Sequence, residues 1–281
     1  MRASDNGVSS ALQAYLRGVG QFDFALTVDP GVGMYVDGIY LARTVGANFQ
    51  LADIEQVQVL RGPQGTLFGK NTIGGAINVV TRRPSGETNY SAELTGGEDN
   101  YLSFDGYAEF PLSDDLAASV AVLTTHSDGW QERDRGDDAG NDDMWATRGH
   151  LDADFTPEWN SHLVMDYTHI DQNVYPQVLA DFDPGAAVAG PYNGAVLAPI
   201  GESCCEPNID DIDKSQALNR LDKDQNDTWG LSWTNTLELG ELSLKSITGY
   251  RDMDSESYRD ADNDVHNYFS VGSEFDVQQF S

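Results

Sequence analysis

The chain has 281 residues, with 46 acidic and 16 basic side chains, and its formal net charge at pH 7 is −30. So acidic a chain lacks the basic face that replaces counterions on nucleic acid, which excludes nucleic acid as a partner. The apolar fraction of 40% is enough for an ordered protein. The 28 glycines, together with 12 Tyr, 11 Phe and 5 Trp, favour β structure with many turns.

The charge is distributed unevenly along the chain. Residues 1–85 contain six acidic and seven basic side chains, whereas residues 86–281 contain 40 acidic and nine basic ones. Such a step suggests two regions in different surroundings. Because Pro and Gly end regular structure, the segment Pro84-Ser85-Gly86 is a suitable boundary. The sequence therefore predicts two domains, 1–85 and 86–281.

The first region consists of short strand-like segments separated by glycine. A β-rich centre at 34–36 is closed by the turn signal Asp37-Gly38, and an alternating segment follows from Asp53 to Leu60. A further strand is predicted at 76–81, after a glycine-rich stretch.

The second region shows repeated runs of about ten residues with period 2. The clearest run places Trp229, Leu231 and Trp233 on one face and Thr228, Ser232 and other small or polar residues on the opposite face. Two-faced strands of this kind have a fixed register, because a slip of one residue would turn charged side chains into the apolar side. About eight strands are predicted, at 89–97, 101–112, 116–127, 144–155, 161–171, 227–239, 242–252 and 270–280.

The connections between these strands alternate in length. Tight turns are predicted at 113–115, 156–160 and 240–241, and long loops at 128–143, 172–226 and 253–269. Short turns at one end and long loops at the other are typical of an outer-membrane barrel, although a soluble sandwich also alternates. Tryptophans near strand ends fit interfacial girdles or an ordinary aromatic core, and both interpretations stay open.

The region 15–85 contains a series of short glycine-rich blocks: Arg17-Gly-Val-Gly20, Asp29-Pro-Gly-Val-Gly33, Tyr35-Val-Asp-Gly-Ile-Tyr40, Ile54-Glu-Gln-Val-Gln-Val-Leu-Arg-Gly-Pro-Gln-Gly-Thr-Leu-Phe-Gly69 and Gly74-Gly-Ala-Ile-Asn-Val-Val-Thr81. These blocks, in this order, resemble the plug domain of TonB-dependent outer-membrane receptors. Several blocks in order are far more specific than one short motif.

This resemblance implies a mainly β protein: a transmembrane antiparallel β-barrel with an N-terminal α+β plug domain. The family's barrels have about 22 strands around a plugged lumen, so about eight strands would be a partial barrel. No signal peptide or TonB box is recognisable, and the chain is therefore predicted to be an internal fragment of a longer receptor.

The family's function supplies the functional hypothesis. The resemblance implies a receptor in the Gram-negative outer membrane, in contact with its lipid and energised by the TonB–ExbB–ExbD complex, that takes up a scarce nutrient, most often a ferric siderophore. The alternatives are a surface β-barrel adhesin or ligand-binding protein without energised uptake, and a secreted β-rich enzyme. We expect no enzyme activity and no cofactor.

The resemblance also suggests roles for three plug residues. Phe68 lies where family plugs often place an aromatic side chain near the ligand, and Asn71 is the second candidate ligand contact. Arg61 is a candidate for pairing with acidic side chains on the barrel wall, or is simply exposed to solvent. The adjacent Cys204 and Cys205 form a strained disulfide with each other, stay free, or pair elsewhere.

The sequence motifs of nucleotide, calcium, zinc and serine-nucleophile sites are incomplete or absent in this sequence. The segment 65–72 has three residues between its glycines and Asn after Lys70, unlike a P-loop. The acidic stretch 222–227 lacks the Gly and Glu of an EF-hand loop, which leaves loose Ca²⁺ binding or a solvated acidic face. The five histidines have no metal-ligand spacing, so no metal site is predicted, and no Gly-x-Ser-x-Gly nucleophile elbow occurs.

Overall fold

The structure is a computed structural model in which strands dominate. It describes residues 14–20, 29–43, 51–133, 138–173, 213–215, 223–260 and 270–281. Within those ranges no helix has the length and apolar character needed to cross a membrane.

The N-terminal part forms a four-stranded sheet, called here the N-terminal sheet. Its order is β4-β3-β6-β5; β3 and β6 are parallel, and the other pairs are antiparallel. Its buried core contains Leu16, Val32, Met34 and Ile77. The elements of this part are β1 (Tyr15–Leu16), β2 (Val19–Gly20), β3 (Val32–Val36), β4 (Ile39–Leu41), β5 (Ile54–Arg61), α1 (Gly65–Phe68) and β6 (Gly75–Thr81).

The rest of the described chain forms an eight-stranded antiparallel meander, called here the large sheet, with β7 and β16 at its two edges. A pair of short strands lies among its connections. The elements are β7 (Asn89–Gly96), β8 (Leu102–Ser113), β9 (Leu116–His126), β10 (Glu132–Arg133), β11 (Met144–Thr156), β12 (Trp159–Gln172), β13 (Lys214–Ser215), β14 (Lys223–Leu239), β15 (Leu242–Asp260) and β16 (Ser270–Phe280).

The eight predicted strands are all present, close to their predicted bounds. The main difference is β15, which continues to Asp260 although the prediction ended it at 252. Beyond Met253 both faces of the strand carry mainly polar side chains, so the backbone pairing continues where the hydrophobic alternation stops. The predicted division at residue 85 falls between the end of β6 at Thr81 and the start of β7 at Asn89.

The large sheet has an inverted polarity. Its outward side chains are apolar and exposed, for example Leu231 at 39% and Trp233 at 49%. Its opposite face is polar, yet many of those side chains are buried, among them Thr228 and Thr234 on the same strand. A soluble sandwich buries its apolar face, so the polarity favours a sheet whose outer surface meets lipid and whose inner face is covered by protein.

Aromatic side chains on the outward face form a band across the strands. Trp145 packs on Tyr167 with ring centroids 4.8 Å apart, Trp229 on Tyr250 at 4.9 Å, and Tyr250 on Phe280 at 4.7 Å. Such bands mark the membrane interface in outer-membrane barrels. A second cluster lies toward the tight-turn end, where Phe155 packs on Trp159 at 4.8 Å.

Beyond the aromatic band the outward face of the sheet becomes acidic. Asp227 lies opposite Asp254, which in turn lies opposite Asp276, and Glu256 lies opposite Glu274 in the next row. Like charges directly opposite each other are unfavourable in a sheet, and water screens them far better than lipid does. The membrane therefore ends at the aromatic band, and β14 and β15 continue beyond it.

The ends of the sheet follow the predicted topology. The short turns at 114–115, 157–158 and 240–241 lie at the end where β7 begins. At the opposite end β10 pairs in parallel with β13, so residues from two of the predicted long loops meet there. Cys204 and Cys205 lie outside the described residues, and their disulfide stays a prediction.

The outward face yields a stability prediction. Leu231→Arg places a charge in the lipid-facing band and should lower the free energy of unfolding by about 2–4 kcal/mol. Asp254 also faces outward, but it lies beyond the aromatic band. Asp254→Arg therefore places the new charge in water and removes the repulsion between Asp254 and its neighbours Asp227 and Asp276. Urea titration of the receptor folded in lipid vesicles measures both. Equal loss of stability in the two variants would contradict the proposed membrane boundary.

Candidate functional site

A fully buried contact between the two sheets is made by Asp53, in the turn that precedes β5. Its carboxylate is fully buried and pairs with Arg148 of β11, whose Nη1 lies 2.8 Å from Oδ1. His150, two residues further along β11, places Nε2 3.0 Å from Oδ2. Residues 148 and 150 share the inner face because side chains alternate along a strand. One carboxylate of the N-terminal part thus has two partners on the large sheet.

The contact continues through a second histidine. His150 Nδ1 lies 3.1 Å from Nε2 of His162 on the neighbouring strand β12, and the two rings are nearly parallel at an interplanar angle of 13°. Both histidines are buried. When both are neutral, His162 Nε2–H donates to His150 Nδ1 and His150 Nε2–H donates to Asp53. We call these three residues and Arg148 the Asp53 relay.

The surroundings of Asp53 favour its charged form. Burial by itself raises the pKa of a carboxyl group, but the hydrogen bond from His150 and the charge of Arg148 outweigh it, so the pKa of Asp53 is lowered. The stabilisation that the Asp53 carboxylate contributes is therefore complete above the ordinary Asp pKa of about 3.9 and is lost as the pH falls through its lower folded-state pKa.

Neighbouring residues pack the same turn against the large sheet. Leu51 belongs to a buried cluster with side chains of the inner face, including Tyr107 and Ile170. The Ala52 amide donates to Asp105 of β8 at 3.2 Å. Apolar burial and hydrogen bonds thus surround the relay and keep water from it.

The segment between the two sheets is held by Glu109 of β8. Its buried carboxylate accepts hydrogen bonds from the Ser85 amide at 3.1 Å, the Ser85 hydroxyl at 3.0 Å, Asn89 at 2.6 Å and Tyr107 at 2.9 Å. A carboxylate with this many donors is well satisfied without a cationic partner. It fixes the point where the chain passes from one sheet to the other.

A second contact region involves the β3–β4 hairpin. Ile39 packs on Gly249 of β15 so closely that a Cβ at position 249 would lie 2.6 Å from Ile39 Cδ1. The Ala42 amide donates to Gln279 of β16 at 2.9 Å. A side chain at position 249 of the large sheet would therefore force Ile39 to shift.

The two candidate ligand residues come together in one aromatic cluster. The Phe68 ring packs on Tyr35 with centroids 5.0 Å apart, and Tyr35 packs on Tyr40 at 5.4 Å. Asn71 donates to the Tyr40 hydroxyl at 2.9 Å. Asn71 has φ 63°, a left-handed conformation that Asn tolerates better than most residues. The cluster brings both candidates to one surface of the N-terminal part.

Arg61 lies at the end of β5 and is exposed. No acidic side chain of the described ranges is within ion-pair distance of it, so its contact with the barrel wall stays a prediction. The buried ion pair between Asp53 and Arg148 has the opposite arrangement, because its carboxylate belongs to the N-terminal part and its cation to the large sheet.

Residues 1–76 match the family model described as TonB-dependent Receptor Plug Domain. Residues 1–76 are therefore similar to the plug domain of TonB-dependent receptors. By this likeness the N-terminal part is called the plug below, and the large sheet is called the wall.

Curated receptors are similar in sequence. The pesticin receptor of Yersinia pestis is 38% identical over 149 residues, which cover 52% of this chain and 19% of that receptor. The vitamin B12 transporter BtuB of Vibrio vulnificus is 33% identical over 101 residues, which cover 34% of this chain and 16% of the transporter. The chain thus spans about a fifth or less of the length of these relatives. They are receptors and transporters rather than enzymes.

Solved structures have the same fold. The siderophore receptor PiuA of Acinetobacter baumannii superimposes with a TM-score of 0.71 at 16% identity, covering 99% of this chain and 37% of that one. The ferric yersiniabactin uptake receptor FyuA of Yersinia pestis gives 0.64 at 19% identity, covering 82% and 33%. At these identities the likeness is one of fold.

The sequence did not reveal the Asp53 relay. The alternation marks Asp53 only as the first residue of a predicted strand, and the spacing of the histidines bears only on metal binding. A usable signal was present, because Arg148 and His150 are on the polar face of a predicted strand and such a face points toward the plug.

The relay predicts an asymmetric effect of mutation. Asp53→Ala leaves Arg148 as an unpaired buried cation, and breaking a buried pair in this way costs about 3–5 kcal/mol. The matched control is Asp152→Asn, because its partner Arg83 is half exposed and such pairs contribute about 1 kcal/mol or less. Urea titration of the folded receptor measures the free energy of unfolding of the plug in both variants, and protease sensitivity shows how much of the receptor is folded at each urea concentration. An equal loss of unfolding free energy in the two variants would contradict the conclusion that the buried Asp53 pair stabilises the structure more than the exposed Asp152 pair.

Proposed function

We propose that this chain provides the plug and one part of the barrel wall of a receptor that takes up a scarce nutrient across the outer membrane, with residues 1–85 as the plug domain and 86–281 as barrel wall. The observation that carries the proposal is the placement of a plug-like sheet on the polar inner face of a sheet whose outer face is apolar. A plug inside a lipid-facing barrel requires that arrangement.

The substrate we propose is a ferric siderophore. Names of similar proteins support this class: one is a ferric yersiniabactin uptake receptor, one a siderophore receptor, and another is a ferripyoverdine receptor of Pseudomonas aeruginosa. A vitamin B12 transporter is also among the relatives, so the experiment includes cobalamin as a second substrate. The alternative of a surface barrel adhesin without energised uptake is not favoured, because an adhesin does not need a plug.

The energy source we propose is the inner-membrane TonB–ExbB–ExbD complex, acting on the plug. The support is the match of residues 1–76 to the TonB-dependent Receptor Plug Domain. The role is binding and transport, without a catalytic step or a resident cofactor.

Uptake measurements test this function. A strain lacking the gene should lose accumulation of the ferric siderophore that the full-length receptor takes up, and a plasmid copy should restore it. An uncoupler of the proton gradient should abolish uptake but leave surface binding of radioactive iron chelate unchanged. Uptake that persists after collapse of the gradient would contradict the energised mechanism, and accumulation of cobalamin instead of iron would change the substrate.

We also propose that Phe68 and Asn71 contact the ligand. They are supported by their shared aromatic cluster, which offers a ring face and an amide on one surface. Phe68→Ala should weaken ligand binding about tenfold, equivalent to about 1.4 kcal/mol. Leu67→Ala is the matched control, because Leu67 is 85% exposed on the same short helix. Fluorescence quenching by the ferric chelate measures both variants, and equal affinities would remove Phe68 from the binding site.

A further inference from the structure

A row of charged side chains crosses four strands of the wall on its inner face. Arg148 of β11 lies directly opposite Asp166 of β12. Asp166 lies opposite Gly230 of β14, which in turn lies opposite Arg251 of β15. Directly opposite residues on one face have Cβ atoms about 4.5–5.5 Å apart. The register thus places one carboxylate between two arginines, with a glycine on one side of it.

Asp166 pairs with the more distant of the two arginines. Its Oδ1 accepts a hydrogen bond from Arg251 Nη2 at 2.8 Å, although strand β14 lies between them. Gly230 makes this contact possible, because a Cβ at position 230 would lie 2.6 Å from Asp166 Oδ2 and 3.2 Å from Arg251 Cζ. Asp166 Oδ2 therefore lies over the glycine, and in the described part of the chain it accepts no hydrogen bond.

Arg148 does not pair with the carboxylate opposite it. Its Nη1 is engaged by Asp53 of the plug at 2.8 Å, and no nitrogen of Arg148 is within ion-pair distance of Asp166. The Nε atom of Arg148 is buried and has no hydrogen-bond partner among the described residues. A buried N–H group without a partner is costly, so this donor requires an acceptor.

A cavity lies between the plug and this row of side chains. Its volume is about 20 Å³, whereas about 10–15 Å³ is enough to hold one water molecule. The plug contributes apolar and acidic residues of the β3–β4 hairpin to its lining, and the wall contributes the charged row: Val36, Asp37, Ile39, Arg148, Asp166 and Arg251. The unpartnered donor and the unpartnered acceptor therefore belong to side chains that line one cavity.

We propose that this cavity is a binding site for one structural water molecule, which accepts a hydrogen bond from Arg148 Nε and donates one to Asp166 Oδ2. A single water bridges polar atoms about 4.5–5.5 Å apart, because each of its hydrogen bonds is about 2.9 Å long. The Ser232 hydroxyl lines the same cavity and offers a third partner. The water joins the Asp53–Arg148 pair to the Asp166–Arg251 pair, and the docked plug closes the site.

The charges around the cavity favour water over an ion. Each arginine of the row is already neutralised by one carboxylate, in the pairs Asp53–Arg148 and Asp166–Arg251. The Asp37 carboxylate on the plug side accepts two hydrogen bonds from within the plug. An anion would add buried negative charge to this set, and a cation would be repelled by two guanidinium groups. Water is neutral and both donates and accepts, as the site requires. The proposal concerns the receptor alone, so it stands or fails separately from the uptake function.

Crystallography of the full-length receptor tests the site directly. At a resolution that shows ordered solvent, one solvent peak should lie within hydrogen-bond distance of both Arg148 Nε and Asp166 Oδ2. A cavity without this peak, or an Arg148 side chain in direct contact with Asp166, overturns the proposal. Crystals soaked in sodium bromide should show no anomalous peak in the cavity, and a bromide ion bound there would overturn the assignment to water.

A cavity-filling variant tests the position of the water. Val164 is buried and lines the cavity from β12. Val164→Ile adds one methylene group to the lining and should displace the water, so the solvent peak should disappear. Val120→Ile is the matched control, because the same change is made at an outward position that is 39% exposed, and there the peak should remain. Persistence of the peak in folded Val164→Ile, or its loss in Val120→Ile, contradicts the proposed site.

A spectroscopic measurement keeps the test decisive without crystals or a folded Val164→Ile variant. Solid-state NMR of the full-length receptor in lipid vesicles, with isotope-labelled arginine, follows the transfer of proton magnetisation from water to Nε. The Arg148 signal is the one that is lost in Arg148→Lys. It should gain magnetisation about as fast as the signal of half-exposed Arg83, although Arg148 is buried. Transfer to Arg148 Nε as slow as to the buried backbone amides of the plug overturns the proposal.

Discussion

The structure depends on one constraint: the outward face of the large sheet must be apolar, because lipid cannot hydrogen-bond to it. This requirement puts the polar half of every alternating strand on the inner face. Those inner side chains are then buried by the plug, and buried polar groups must be paired. The plug therefore stabilises the wall as well as filling it, since polar groups of the plug form hydrogen bonds with the inner face of the wall.

The three contacts between plug and wall differ in their chemistry, and each contributes to stability in a different way. Glu109 collects four neutral donors at the linker and gives a connection that changes little with pH in the physiological range. Ile39 on Gly249 gives shape complementarity without charge. The Asp53 relay alone, among these three contacts, combines a buried ion pair with histidines. A contact that depends on charge is strong when complete and weak when one member changes.

Most of the fold could be predicted because its signals are local. Alternation along a strand fixes both its existence and its face, as in β14, where Leu231 and Trp233 are outward as expected. The extension of β15 to Asp260 could not be predicted, since both faces are polar there and pairing comes from the neighbouring strands. The plug blocks could be recognised from their order. The Asp53 relay could not, because its members are about 95 residues apart in the sequence and meet only through the packing of two sheets.

The step in charge along the chain now has a structural explanation. Carboxylates are unfavourable in contact with lipid, so the acidic side chains of the wall are found mostly at or beyond the aromatic band, in the connections and on the inner face. Asp254, placed between Asp227 and Asp276, shows how far this goes: three like charges in one row are tolerated only where water and ions screen them. The plug meets the wall from inside, where its basic and acidic residues are nearly balanced. Net charge thus records which surface each region faces, and the large excess of acid belongs to the parts of the wall that lie in water.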